Sequence, residues 1–175
     1  MPRTRIRRRE REQPLAPWYD FDPMLSLMNA PAEHIDPFLQ AFRGSFTSAL
    51  RWHQLDALWE RVRERAGDGW YLYAIGEEPP RDPADAAQVL RFIDEIDRLL
   101  RAEHDEDFCG IVYADDLAAP ALIKIYDPNN LGVVCGYSDN PPLPGWVMSK
   151  LPPVDLPASR QAPKGRRRWW RRLFG

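Results

Sequence analysis

Only two cysteines, Cys109 and Cys135, and three histidines occur in the 175 residues. A disulfide between them is geometrically possible, because both fall in segments that read as strands. Nothing else suggests export: the basic start runs into Gln13-Pro14-Leu15-Ala16-Pro17-Trp18, with no apolar core of a signal peptide. Long apolar runs are also missing. The longest mostly apolar stretch, Leu117 to Ile123, contains Pro120 and is far shorter than the ~20 residues that span a bilayer. There is no Gly-rich phosphate loop, no G-x-G-x-x-G, no H-E-x-x-H, no C-x-x-C and no G-x-S-x-G. These absences argue against the motif-bearing nucleotide, dinucleotide, zinc-protease and serine-hydrolase chemistries. They predict a chain of the reducing cytoplasm with two free thiols, no transmembrane segment and no cofactor.

Charge is abundant but segregated. The net charge of -2 comes from 24 basic and 26 acidic residues. Residues 1–12 hold six arginines against Glu10 and Glu12, and residues 164–175 hold Lys164 and five arginines with no acid. Subtracting both ends leaves 12 basic and 24 acidic residues in 13–163, a net of -12. An acidic body between two basic ends repels anionic partners through its middle and attracts them through its tails.

Apolar periodicity and turn residues predict one α+β domain over residues 31–156. The expected order is α-α-β-α-β-β-β, a mainly antiparallel sheet of about four strands with helices packed on one face. Asp36-Pro37 opens a short first helix, an N-cap carboxylate followed by proline at the first helical position. A second helix is expected from Phe46 to Ala66, with Gly67 at its C-cap. Trp70 to Ile75 reads as a buried strand, and Pro83 to Ala102 as an amphipathic helix capped by Asp82. On its outer face Arg91–Glu95, Asp94–Arg98 and Asp97–Arg101 stand at i,i+4 spacing. Phe108–Tyr113 and Ala121–Tyr126 are expected to form a hairpin, Leu131–Cys135 a third strand pairing back, and Trp146–Met148 a short edge segment. Residues 1–30 are expected to be a largely disordered basic arm whose aromatic stretch, from Trp18 to Met28, docks on the core. Residues 157–175 are expected to be a flexible linker and a basic amphipathic tail.

Two stretches of the body invite chemistry. The turn Glu103 to Cys109 offers His104, Asp107 and Cys109 as metal donors, but the donors are adjacent rather than paired as zinc requires. Cys109 or Cys135 with His104 or His53 is a candidate nucleophilic pair, although a cysteine is more often a small buried hydrophobe. The loop from Asp127 to Trp146 concentrates turn formers and aromatics. Asn129, Asn130, Tyr137, Pro144 and Trp146 are its candidate binding residues, unless Trp146 plugs the core instead.

The tail gives the strongest signal. At 100° per residue, Trp169, Trp170, Leu173 and Phe174 share one side of a helix, while Arg168, Arg171 and Arg172 share the other. Arg167 lies at the border, and only Arg166 intrudes on the apolar side. This pattern suits an anionic membrane boundary, with each arginine worth about 1 kcal/mol near the surface. The expectation is a non-enzymatic accessory or adaptor protein. Its acidic body binds a protein partner, and its tail brings it to the inner face of the cytoplasmic membrane. Alternatives are a small metal-binding or cysteine-dependent enzyme, docking of the tail on nucleic acid or another protein, and folding of the tails onto the acidic body.

Overall fold

A computed structural model describes residues 35–129, 143–156 and 164–174. The elements run α1 (Pro37–Phe42), β1 (Thr47–Ser48), α2 (Trp52–Glu64), β2 (Tyr71–Ala74) and α3 (Ala86–Glu103). Then come β3 (Val112–Ala114), β4 (Leu122–Ile125), β5 (Trp146–Ser149) and α4 (Lys164–Phe174). Among the described residues the fold is α+β around one five-stranded sheet in the order β1-β3-β4-β5-β2, antiparallel throughout. The N-terminal arm and the expected strand Leu131–Cys135 lie outside the described residues.

Strand alternation divides the apolar side chains between two faces. Leu72, Met148, Ile123 and Ala114 stand opposite one another across the sheet, as do Ala74, Trp146, Ile125 and Val112. This face forms the main core with Leu55, Leu58, Trp59 and Val62 of α2 and Val89, Phe92, Ile93 and Ile96 of α3. The other face carries Tyr73, Val147 and Leu122, covered by Phe38 of α1 and by Leu156. The three longer helices therefore share one face, and the six-residue α1 covers the opposite one.

Local chemistry explains several boundaries. Asp36 caps α1 as expected, its Oδ1 accepting from the backbone N–H of Phe38 at 2.8 Å and of Leu39 at 3.2 Å. α2 begins later than its periodicity suggests, because Thr47 and Ser48 are drawn into the sheet opposite Ala114 and Tyr113. Tertiary pairing here overrides helical propensity. The turn after α2 places its left-handed residue at Gly69 (φ 76°) rather than at Gly67.

α3 is capped by Asp85 and not by Asp82. Asp85 accepts from the Gln88 N–H at 2.8 Å and Gln88 returns a bond to the Asp85 N–H at 2.9 Å. Ala84 meanwhile donates to the Trp70 carbonyl at 2.8 Å, which ties the residues before α3 to the start of β2. Of the i,i+4 pairs expected along α3, Asp97–Arg101 forms, while the other charges find different partners, several of them on other helices. Asp94 pairs with Arg63 of α2 at 2.7 Å, and Asp97 accepts from Trp59 Nε1 at 3.1 Å. Arg101 joins Asp97 at 2.8 Å and also Asp56 of α2. Arg98 turns to Glu95, and Arg91 turns to α4.

The β3–β4 loop is organised by two aspartates. Asp115 Oδ1 accepts from the N–H groups of Asp116, Ala121 and Leu122, and Asp116 Oδ1 from those of Ala118 and Ala119. The Trp146–Met148 segment, expected at an edge, is an interior strand. β5 pairs with β4 on one side and β2 on the other, and all four of its residues are buried.

Candidate functional site: the arginine-anchored C-terminal helix

α4 has all five arginines of the C-terminal run and no acid. Its apolar side chains meet the body. Trp169 packs edge-on to Trp146 with ring centroids 5.5 Å apart, and Trp170 packs edge-on to Phe92 at 6.0 Å. Phe174 lies 6.2 Å from Phe92 and 4.5 Å from Trp170, while Leu173 is buried. These residues extend the main core across α3 and β5. Arg168, Arg171 and Arg172 are exposed and Arg167 is half-buried, so the helix turns cations outward.

Arg166 is the exception on the wheel, and the body answers it. Its Nε donates to Asp127 Oδ2 at 2.8 Å and its Nη2 to Asp127 Oδ1 at 2.9 Å. Nη1 donates to Glu103 Oε1 at 2.9 Å, and Nη2 also bonds Glu103 Oε2. One guanidinium thus engages two carboxylates, the bidentate geometry for which arginine is suited. The Arg166 side chain is 12% exposed, that of Glu103 35% and that of Asp127 5%. Burial alone opposes the Arg166 charge, but its bonds and attraction to Asp127 and Glu103 prevail and raise its pKa. The Arg166 bonds likewise hold the Glu103 carboxyl below its ordinary range, against the opposing effect of burial.

Position along the chain explains how these groups meet. Glu103 is the last residue of α3, and Asp127 opens the Asp127-Pro128-Asn129 turn after β4. Asp127 Oδ1 also accepts from the Asn129 N–H at 3.0 Å, and Asn129 Nδ2 donates to Glu103 Oε2 at 2.8 Å. Two carboxylates at the first turn of α4 complement the positive end of its dipole. At the far end, Arg91 Nη2 donates to the Arg172 carbonyl at 3.1 Å, satisfying one of the acceptors a helix leaves open. Arg171 reaches Glu77 at 3.5 Å.

The other candidate residues have structural surroundings. His104 is buried at the C-cap of α3, where Nε2 faces the carbonyls of Phe108 at 3.1 Å and Cys109 at 2.9 Å. Two carbonyl acceptors assign the ring proton to Nε2, so that nitrogen is not free to hold a metal. Cys109 is fully buried, and burial pushes its thiol pKa up, partly offset by the N–H groups of Ile111 and Val112. Asp107 is exposed. Among the described residues no three His, Cys, Asp or Glu side chains gather as metal ligands.

In the candidate loop, Trp146 is 2% exposed and Pro144 is buried, so both belong to the core and not to a surface. Asn129 is exposed beside the Arg166 cluster. Asn130, Tyr137 and Cys135 lie outside the described residues.

Lys124 is the residue that sequence reading passes over. It sits mid-strand on the second face of the sheet, between Tyr113 and Val147. Its Nζ lies 4.2 and 3.8 Å from the ring centroids of Phe42 and Phe46 and donates to the Phe42 carbonyl at 2.6 Å. Burial lowers its pKa to about 8. A lysine amid the alternating apolar residues of β4 was the available signal.

Among the described residues no helix is long and apolar enough to cross a membrane. Compared with protein-family models, curated proteins and solved structures, the chain matches none.

Proposed function

We propose that the chain is a non-enzymatic accessory protein that recruits a protein partner to an anionic membrane surface, on its cytoplasmic side. The acidic body is the partner-binding part, and α4 is the membrane-directed part. The observation that carries this reading is the division of α4. Its aromatic side has a place on the body, and its exposed side concentrates Arg168, Arg171 and Arg172 on a protein otherwise strongly acidic. A helix that needed only to complete the core would gain nothing from a row of outward guanidinium groups. Such a row contributes about 1 kcal/mol per arginine at an anionic leaflet, and salt weakens it.

The test is sedimentation of the full-length protein with vesicles of phosphatidylcholine alone or mixed with phosphatidylserine. Binding is expected only with the anionic lipid, and to fall at high salt. The exposed-face variant R168Q/R171Q/R172Q is expected to lose about 100-fold in affinity, the loss of three such contributions. Equal binding by wild type and variant rejects the reading. Retention by RNA but not by vesicles reassigns the arginine face to nucleic acid.

A further inference from the structure

We propose that Arg166 is a latch holding α4 against the body, and that the surface α4 gives to an anionic bilayer on release is its aromatic face. This inference rests on the membrane reading above and names how that site is controlled. Trp169, Trp170, Leu173 and Phe174 are the side chains packed on the body. They are also of the type that settles at a headgroup boundary, with Trp amphipathic and Leu and Phe apolar. Body and bilayer therefore compete for one face.

Arg166 is the part that does not transfer. It lies about 60° around the helix from Trp169, in the middle of the arc that ends at Phe174. On the body it makes four bonds to Asp127 and Glu103. With the same face turned to acyl chains, it must reach back toward phosphates. The apolar contacts are served in either place, so the ion pairs decide which is occupied. An anionic leaflet shifts that decision twice. Its phosphates compete for the guanidinium, and it repels the acidic body that docked α4 carries toward it.

Ordinary attraction and a latch predict opposite signs for one substitution. If α4 stays docked, Arg166→Gln removes a cation and weakens binding. If Arg166 is a latch, the same change frees the aromatic face and strengthens binding. The experiment uses the full-length chain with phosphatidylserine/phosphatidylcholine vesicles. Bromolipid quenching is read against a Trp169→Phe/Trp170→Phe background to isolate those two indoles.

R166Q is expected to bind about tenfold tighter than wild type, because release of the buried pairing with Asp127 and Glu103 outweighs the loss of one cation at the leaflet, with deeper quenching of Trp169 and Trp170. Glu103→Gln is expected to bind more tightly than Glu60→Gln, a charge-matched change at an exposed site away from the cluster. R166Q binding equal to or weaker than wild type overturns the latch, and so does equality of the two glutamate variants. If R166Q does not fold, the glutamate pair decides. Loss of binding in R168Q/R171Q/R172Q alongside a failed latch leaves the membrane reading standing. Absence of binding by every form, wild type included, overturns both.

Discussion

Arg166 and Lys124 are two inward-facing cations on opposite sides of one sheet, and they are treated in opposite ways. Arg166 meets two carboxylates and four hydrogen-bond acceptors, and its pKa rises. Lys124 meets two phenyl rings and one carbonyl, has no carboxylate within ion-pair distance among the described residues, and its pKa falls to about 8. Burial opposes charge in both places; the partners decide the outcome. The first cation is fixed in its charged form and ties one element to two others. The second is carried at a cost and can be discharged.

The largest break of this contrast applies one chemical change to both. Arg166→Met leaves Asp127 buried without its cation and is expected to destabilise the protein by about 2–3 kcal/mol in urea unfolding. Lys124→Met removes a half-buried charge that no carboxylate neutralises and is expected to stabilise it at pH 7 by about 1 kcal/mol, since the carbonyl bond is lost as the desolvation cost is relieved. Shifts of the same sign for the two would collapse the distinction.

A smaller effect appears on titration. The folded-state pKa of Lys124 is lowered from 10.5 to about 8, so between these values the unfolded chain holds more protons. Stability therefore rises with pH from about 8, by up to roughly 1 kcal/mol once solvent screening is allowed for. Burial raises the pKa of Tyr73 and Tyr126 above 10.0, so beyond pH 10 the unfolded state loses protons first and stability falls again. Urea midpoints across pH 7–11 should trace a maximum that disappears in Lys124→Met. On the acid side Glu103 acts in the other direction. Its lowered pKa contributes stability above 4.5 that is lost as pH falls through the folded value.

The smallest expected effect is at Arg91. Arg91→Gln removes one exposed bond to the Arg172 carbonyl and should cost about 0.5 kcal/mol. Thermal unfolding matching wild type within error would show that this bond adds nothing to the aromatic packing that holds the far end of α4.

The legible parts of the fold were those in which one short stretch carries its own instructions. Asp36-Pro37 specifies a helix start, Tyr71–Ala74 is apolar enough to be a strand, and the α3 stripe has one period throughout. The illegible parts depend on partners far away in the chain. Thr47 and Ser48 become a strand because β3 offers an edge, and Trp146 enters the interior because β2 and β4 flank it. The tail shows both limits together. Its amphipathic wheel was visible, and so was Arg166 as the residue that breaks it. Glu103 and Asp127 were not, since neither stands near it in sequence and carboxylates abound in an acidic body. A charge lodged in an otherwise apolar helix face is a sequence clue to a buried counterion elsewhere.

The placement of β5 also governs the order in which the chain can assemble. Among the described residues Tyr71–Ala74 has one strand neighbour, β5, and the pairing joins Tyr71 to Ser149 and Ala74 to Trp146. During synthesis β2 therefore leaves the ribosome long before the strand that will hold it. At about 5–20 residues per second this interval lasts several seconds. Through that time the apolar segment Tyr71-Leu72-Tyr73-Ala74 has no ladder to join, while β3 and β4 can already pair as a hairpin. β5 therefore bridges two pieces that precede it in the chain, β2 and the β3–β4 hairpin, and a nascent chain stalled before Trp146 exposes a strand that the finished protein keeps covered.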